Sequence, residues 1–237
     1  MITSTPLAYE HGNTKLEGIF VHDDKLTTPM PGILLIHEFT GLDSSMLPHA
    51  ERLARQGYAV LLCDMYGKGI RPKDKAEAST QAHIYKKDRT LMRARAKAGL
   101  DALGVHPAVN RNRLFALGFS FGGCAALELA RSGANLTGAI SFYGYLNTPE
   151  PCRPGAVQGR LLVLHGAHDR VVPMSEIPVF EKEMHEADTN FRIIVLHDAG
   201  HGFANPTHEN DPATGSWYCE EAAEKAWKAA LEFLAKN

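Results

Sequence analysis

A chain of 237 residues, 44% hydrophobic and 22% charged, is long enough to bury one large core, and a single domain over 1–237 is expected. A formal charge of −2 provides no basic field for nucleic acid or an anionic membrane surface, so the expected partner is a small molecule. Residues 1–10 contain no charged leader followed by an apolar stretch, and no apolar run reaches bilayer length, which predicts a cytoplasmic protein with no membrane partner. Composition does not distinguish a monomer from a dimer. The four cysteines, Cys63, Cys124, Cys152 and Cys219, form no C-x-x-C pair and read as reduced thiols.

Short aliphatic runs alternate with amphipathic helical stretches, which predicts a mostly parallel sheet covered on both faces. Leu7 to Phe20 reads as two strands turning at Gly12-Asn13. Ile33 to Ile36 is a buried strand, Met46 to Gln56 has helical spacing, and Ala59 to Cys63 is the next strand. After a polar loop through Gly67, Gly69, Arg71 and Pro72, one long helix is predicted, with Met92, Ala96, Leu100 and Leu103 as its buried stripe and Gly104 as its cap. The apolar run Leu114 to Leu117 precedes a helix-like stretch from Cys124 to Ala130. Strands at Gly138 to Phe142 and Leu161 to Leu164, a helix at Ile177 to Ala187, a strand at Phe191 to Leu196 and a helix at Glu220 to Leu234 complete the chain.

Between Leu117 and Cys124 lies Gly118-Phe119-Ser120-Phe121-Gly122, a G-x-S-x-G pattern in a strand-to-helix context. In such a turn the serine occupies a tight corner with its hydroxyl exposed at the strand end, and the glycines remove side chains that would clash. A serine hydroxyl is a weak nucleophile at neutral pH and needs a base and an orienting acid. Asp169 follows the strand Leu161 to Leu164, and His201 follows the strand Phe191 to Leu196, so both emerge at carboxyl ends of strands, where parallel sheets collect catalytic groups. Asp198 is the rival acid and reads better as a turn former; His165 and His168 precede the acid and have no third ligand at metal spacing. Cys124, one turn into the helix, reads as core filler rather than nucleophile. No metal or cofactor is called for.

His37-Glu38-Phe39 directly follows the strand Ile33 to Ile36, which places the Phe39 amide, together with that of Phe121, as the expected oxyanion donors. Glu38 is unusual there. A carboxylate beside a developing negative charge must be protonated, turned away or partnered with the nucleophile.

Along nearly its whole length the chain resembles the dienelactone hydrolase family of α/β-hydrolases. The resemblance rests on Gly32 to Glu38, Gly57 to Val60, Asp64-Met65-Tyr66-Gly67, Gly118 to Gly123, Leu164-His165-Gly166 with Asp169, and Gly200-His201-Gly202-Phe203. It implies an α/β-hydrolase fold with a mostly parallel sheet of about eight strands, helices on both faces and no cap domain. It also implies a nucleophile, aspartate and histidine triad at Ser120, Asp169 and His201, and a glutamate, Glu38, that contacts the nucleophile.

Two positions depart from the family pattern. The best-known members carry cysteine at the elbow where this chain has Ser120, which shifts the expectation toward a serine esterase acting on small esters or lactones and leaves a nucleophile-exchanged lactonase, natural or engineered, as the alternative. Asn205 stands where characterised lactonases carry an arginine for the substrate carboxylate. Substrate-binding candidates are Asn205, Phe203, Tyr145 and Arg89, with the stretch Lys86 to Lys97 otherwise read as a solvated helix face. The polar loop Asn205 to Trp217 is placed at the pocket rim. A peptidase or amidase, and a non-catalytic binding protein on the same fold, are the further alternatives.

Overall fold

The structure is a computed structural model that describes residues 1–208, 210–211 and 213–236. Eight strands form one sheet: β1 (Ile2–His11), β2 (Thr14–Asp23), β3 (Met30–Ile36), β4 (Ala59–Cys63), β5 (Val109–Phe119), β6 (Gly138–Phe142), β7 (Arg160–Gly166) and β8 (Phe191–Leu196). Their order is β1-β2-β4-β3-β5-β6-β7-β8. The hairpin β1–β2 and the β2–β4 pair are antiparallel and the remaining pairs are parallel. The hairpin turns at Gly12-Asn13 as its sequence predicts, and its arms run beyond Leu7 and Phe20.

Among the described residues six α-helices cover the sheet: α1 (Leu47–Ala54), α2 (Lys75–Lys87), α3 (Arg89–Gly104), α4 (Phe121–Arg131), α5 (Glu176–Glu186) and α6 (Glu220–Ala235). The period of two along the central strands sorts the core into two layers. Leu34 and Ile36 of β3, with Leu61 and Cys63 of β4, pack under α2 to α5. Ile33 and Leu35, with Val60 and Leu62, pack under α1 and α6. Among the described residues no helix is long and apolar enough to cross a membrane.

The single long helix expected after Pro72 is two helices. Asp88 is extended (φ −114°, ψ 90°), ends α2 and caps α3, its carboxylate accepting from the Leu91 amide at 2.8 Å. Satisfying an orphan amide at a helix start outweighs continuing the first helix through an aspartate. The buried stripe Met92, Ala96, Leu100 and Leu103 belongs to α3, and Gly104 is its last helical residue rather than its cap, a position held by Val105.

On the opposite face His49 of α1 stacks against Phe119 (4.6 Å between centroids) and Trp227 (5.4 Å). Burial pulls this imidazole down to about 4 from an ordinary 6.5. Because the folded value is the lower one, the unfolded chain binds the extra proton first: the contribution is fully present above pH 6.5 and is lost as pH falls from 6.5 to about 4. Allowing for partial solvent screening, it amounts to on the order of 2 kcal/mol. Urea unfolding at pH 7 and pH 4.5 should therefore show an acid-side loss that His49→Gln reduces by that amount. Parallel losses in both proteins would count against a role for His49.

Candidate active site

The elbow is built from backbone contacts too close for side chains. A Cβ at Gly118 would lie 2.1 Å from the Gly122 carbonyl oxygen, and one at Gly122 would lie 2.2 Å from that of Ile36. This approach holds α4 against the end of β5 and forces Ser120, between them, to φ 52° and ψ −112°, a region that side chains with a Cβ rarely occupy. The Ser120 amide is bonded to the Phe142 carbonyl at 2.9 Å, which fixes the corner to β6.

From that corner Ser120 Oγ lies 2.9 Å from His201 Nε2, and His201 Nδ1 lies 2.8 Å from Asp169 Oδ2. All three residues are buried. The second oxygen of Asp169 accepts from the amides of Val171 and Val172, both at 2.8 Å, so the carboxylate is held by three donors. This arrangement sets the tautomer: Nδ1–H donates to Asp169, leaving Nε2 free to accept from the serine hydroxyl. The His201 backbone is pinned as well, its amide donating to Gly215 and its carbonyl accepting from Trp217. Asp198 is exposed in the turn after β8.

The Glu38-Phe39 turn after β3 is clamped from several sides. Fully buried His37 contacts the Glu38 carbonyl through Nδ1 at 2.6 Å and accepts from the Met65 amide through Nε2 at 3.4 Å, and burial pushes its imidazole below the ordinary range, keeping it neutral. The Gly41 amide donates to the same Glu38 carbonyl at 3.1 Å, and the Tyr66 hydroxyl donates to the Phe39 carbonyl at 2.7 Å. No described residue accepts a hydrogen bond from the Phe39 or Phe121 amide.

Both oxygens of the Glu38 carboxylate accept hydrogen bonds: Oε1 from the Tyr143 hydroxyl at 2.9 Å and Oε2 from Asn205 Nδ2 at 3.2 Å. Both of these donors are neutral. The Glu38 side chain lines the cavity that holds Ser120 and His201. That cavity has a volume of about 810 Å³; Phe39, Lys86, Tyr145 and Asn205 contribute to its wall, and the loop after Asn205 forms part of its rim.

Two substrate-binding candidates lie elsewhere. Phe203 is fully buried against Tyr143, with ring centroids 5.0 Å apart, because its apolar ring completes the core under α6. Arg89 is also buried, its guanidinium donating to Cys124 Sγ at 2.8 Å and reaching Asn147 Oδ1 at 3.5 Å. The stretch from Lys86 to Lys97 is not simply a solvated face, since Arg93 pairs with buried Glu128 at 2.7 Å and Arg95 donates to the Met65 carbonyl at 3.0 Å. Lys86 does face the cavity, donating to the Tyr145 hydroxyl at 2.8 Å. Burial raises the Cys124 thiol to about 11, which makes it a poor thiolate at neutral pH. The sequence reading included His37 and Tyr66 only as members of motifs and gave them, like Tyr143, no role in the site, although each stands immediately beyond an apolar strand or in the turn that follows one.

A serine at a strand-to-helix elbow, bonded through histidine to aspartate at the carboxyl edge of a mostly parallel sheet, defines an α/β-hydrolase. Residues 16–237 match the dienelactone hydrolase family, and the chain belongs to it. The solved structure m3DLH superposes with a TM-score of 0.94 at 31% identity, covering 99% of this chain and 98% of that one. A dienelactone hydrolase-like promiscuous phosphotriesterase from metagenomic libraries superposes at 0.89 with 32% identity over the same shares. A candidate 2-oxo-3-(5-oxofuran-2-ylidene)propanoate lactonase of Bradyrhizobium is 27% identical over 222 residues, 88% of this chain and 85% of that protein.

Proposed function

We propose that the protein hydrolyses small carboxylic esters or lactones through an acyl-enzyme on Ser120. The observation that carries this reading is the hydrogen-bonded series from Ser120 Oγ to His201 and on to Asp169, at 2.9 and 2.8 Å. As Oγ attacks the substrate carbonyl, its proton passes to His201 Nε2, and Asp169 stabilises the resulting imidazolium. The Phe39 and Phe121 amides receive the tetrahedral oxyanion, each worth on the order of 3 kcal/mol. His201 then returns the proton to the departing alkoxide, which leaves as an alcohol or, from a lactone, as the hydroxyl end of the same molecule. Water, deprotonated by His201, attacks the acyl-enzyme and releases the acid, and Ser120 recovers its proton.

Asn205, Tyr145 and Lys86 supply the polar wall against which a small substrate would sit. The lactonase relative in Bradyrhizobium supports including cyclic esters in the substrate class. The test combines a panel of p-nitrophenyl esters and five-membered lactones with a fluorophosphonate probe read by intact mass and peptide mapping. Turnover on the panel and a single adduct on Ser120 are expected; a folded protein inert to every substrate and unlabelled would overturn the reading.

A further inference from the structure

We infer that Tyr143 is a positioning residue: through Glu38 it holds the turn bearing the Phe39 amide in register with His201. The inference rests on the reading of Ser120 as nucleophile. Tyr143 directly follows β6, is fully buried, and adopts φ 41°, an unfavourable conformation for a residue with a Cβ. Its amide donates to the Leu164 carbonyl of β7 at 2.8 Å, which locks that conformation in place. The consequence is where the ring goes. One edge meets the His201 ring at 5.2 Å and 67°, and the hydroxyl reaches Glu38 Oε1 at 2.9 Å. Burial holds the phenol above its ordinary range, so it remains an O–H donor.

Glu38 in turn joins two segments that the chain keeps far apart. Its backbone begins the turn that presents the Phe39 amide, and its second carboxylate oxygen takes Asn205 Nδ2 from the segment just after His201. The backbone of the turn is already clamped by His37, Gly41 and Tyr66, and the side-chain tie supplies the connection to the histidine side of the site.

Tyr143→Phe keeps the ring and removes the tie. Turnover should fall about 10- to 100-fold, with KM within a few-fold and the thermal midpoint close to wild type, because the oxyanion donor is misplaced while the pocket survives. Labelling by fluorophosphonate should slow in parallel. Glu38→Ala should cost at least as much, and Glu38→Gln should recover part of that loss, since the amide oxygen still accepts from Tyr143 while Asn205, its Oδ1 held by Thr207, keeps its orientation and loses only its own arm of the tie. Should Tyr143→Phe fail to fold, Asn205→Ala breaks the other arm of the tie and should show the same loss in kcat. Wild-type turnover in a folded Tyr143→Phe protein, or Glu38→Gln as damaged as Glu38→Ala, would overturn the inference. Failure of the nucleophile reading looks different: wild-type protein would then take up no fluorophosphonate at all.

Discussion

Ser120→Ala should lower turnover on activated esters by about 10⁴- to 10⁶-fold and abolish fluorophosphonate labelling, while leaving KM and the circular dichroism spectrum nearly unchanged. The size of the loss follows from the elbow. Ser120 presents its hydroxyl 2.9 Å from His201 Nε2 from a backbone fixed by Gly118, Gly122 and the Phe142 carbonyl, so removing Oγ removes the attacking atom and moves nothing else. No neighbouring group can take its place. Cys124 lies a turn further along α4, buried, with its thiol raised to about 11 and its sulfur engaged by Arg89. Ser120→Cys should also be less active than wild type, because the longer C–S bond and larger sulfur displace the nucleophile within a corner that does not yield. Alanine protein retaining a tenth of wild-type turnover would remove Ser120 from the mechanism.

What could be read from the sequence was what local geometry dictates. Gly118 stands out because its constraint is a backbone contact with Gly122 within one turn, which the local pattern records, and Asp169 and His201 stand out because each follows an apolar strand whose end must lie at the ligand-binding edge. The break at Asp88 was hidden because an aspartate on the solvent side of a helical pattern and an aspartate capping a new helix look alike until the next turn is packed. Arg89 and Phe203 were misread for a related reason. A basic residue in a charged stretch and an aromatic beside the histidine suggest ligand contacts, yet the first lies against Cys124 and the second completes the core around Phe142 and Tyr143. Tyr143 was the least legible of all. Phe142-Tyr143-Gly144 reads as the end of a strand, and the tyrosine's partner, Glu38, lies 105 residues away in sequence.

The elbow glycines should be among the residues least able to accept even a methyl group. An alanine Cβ at Gly122 would meet the Ile36 carbonyl oxygen at 2.2 Å and that of His37 at 2.6 Å; both are backbone atoms, so no rotamer change relieves the contact. Either α4 lifts from the sheet or β3 shifts, and both movements displace Ser120 from His201 and Phe39 from the oxyanion position. Gly122→Ala should therefore cost about 3–5 kcal/mol, in the range of severe overpacking, and abolish turnover in whatever protein remains folded. Gly57→Ala provides the contrast. That glycine has φ 89° with nothing within 4 Å of an added Cβ, so its substitution carries only the penalty of the left-handed conformation, about 1 kcal/mol, with turnover unchanged. Urea unfolding of the two variants beside wild type separates the cases. A Gly122→Ala protein within about 1 kcal/mol of wild type and still active would mean that the helix and β3 are not packed backbone to backbone, and the explanation of the strained serine would fall with that contact.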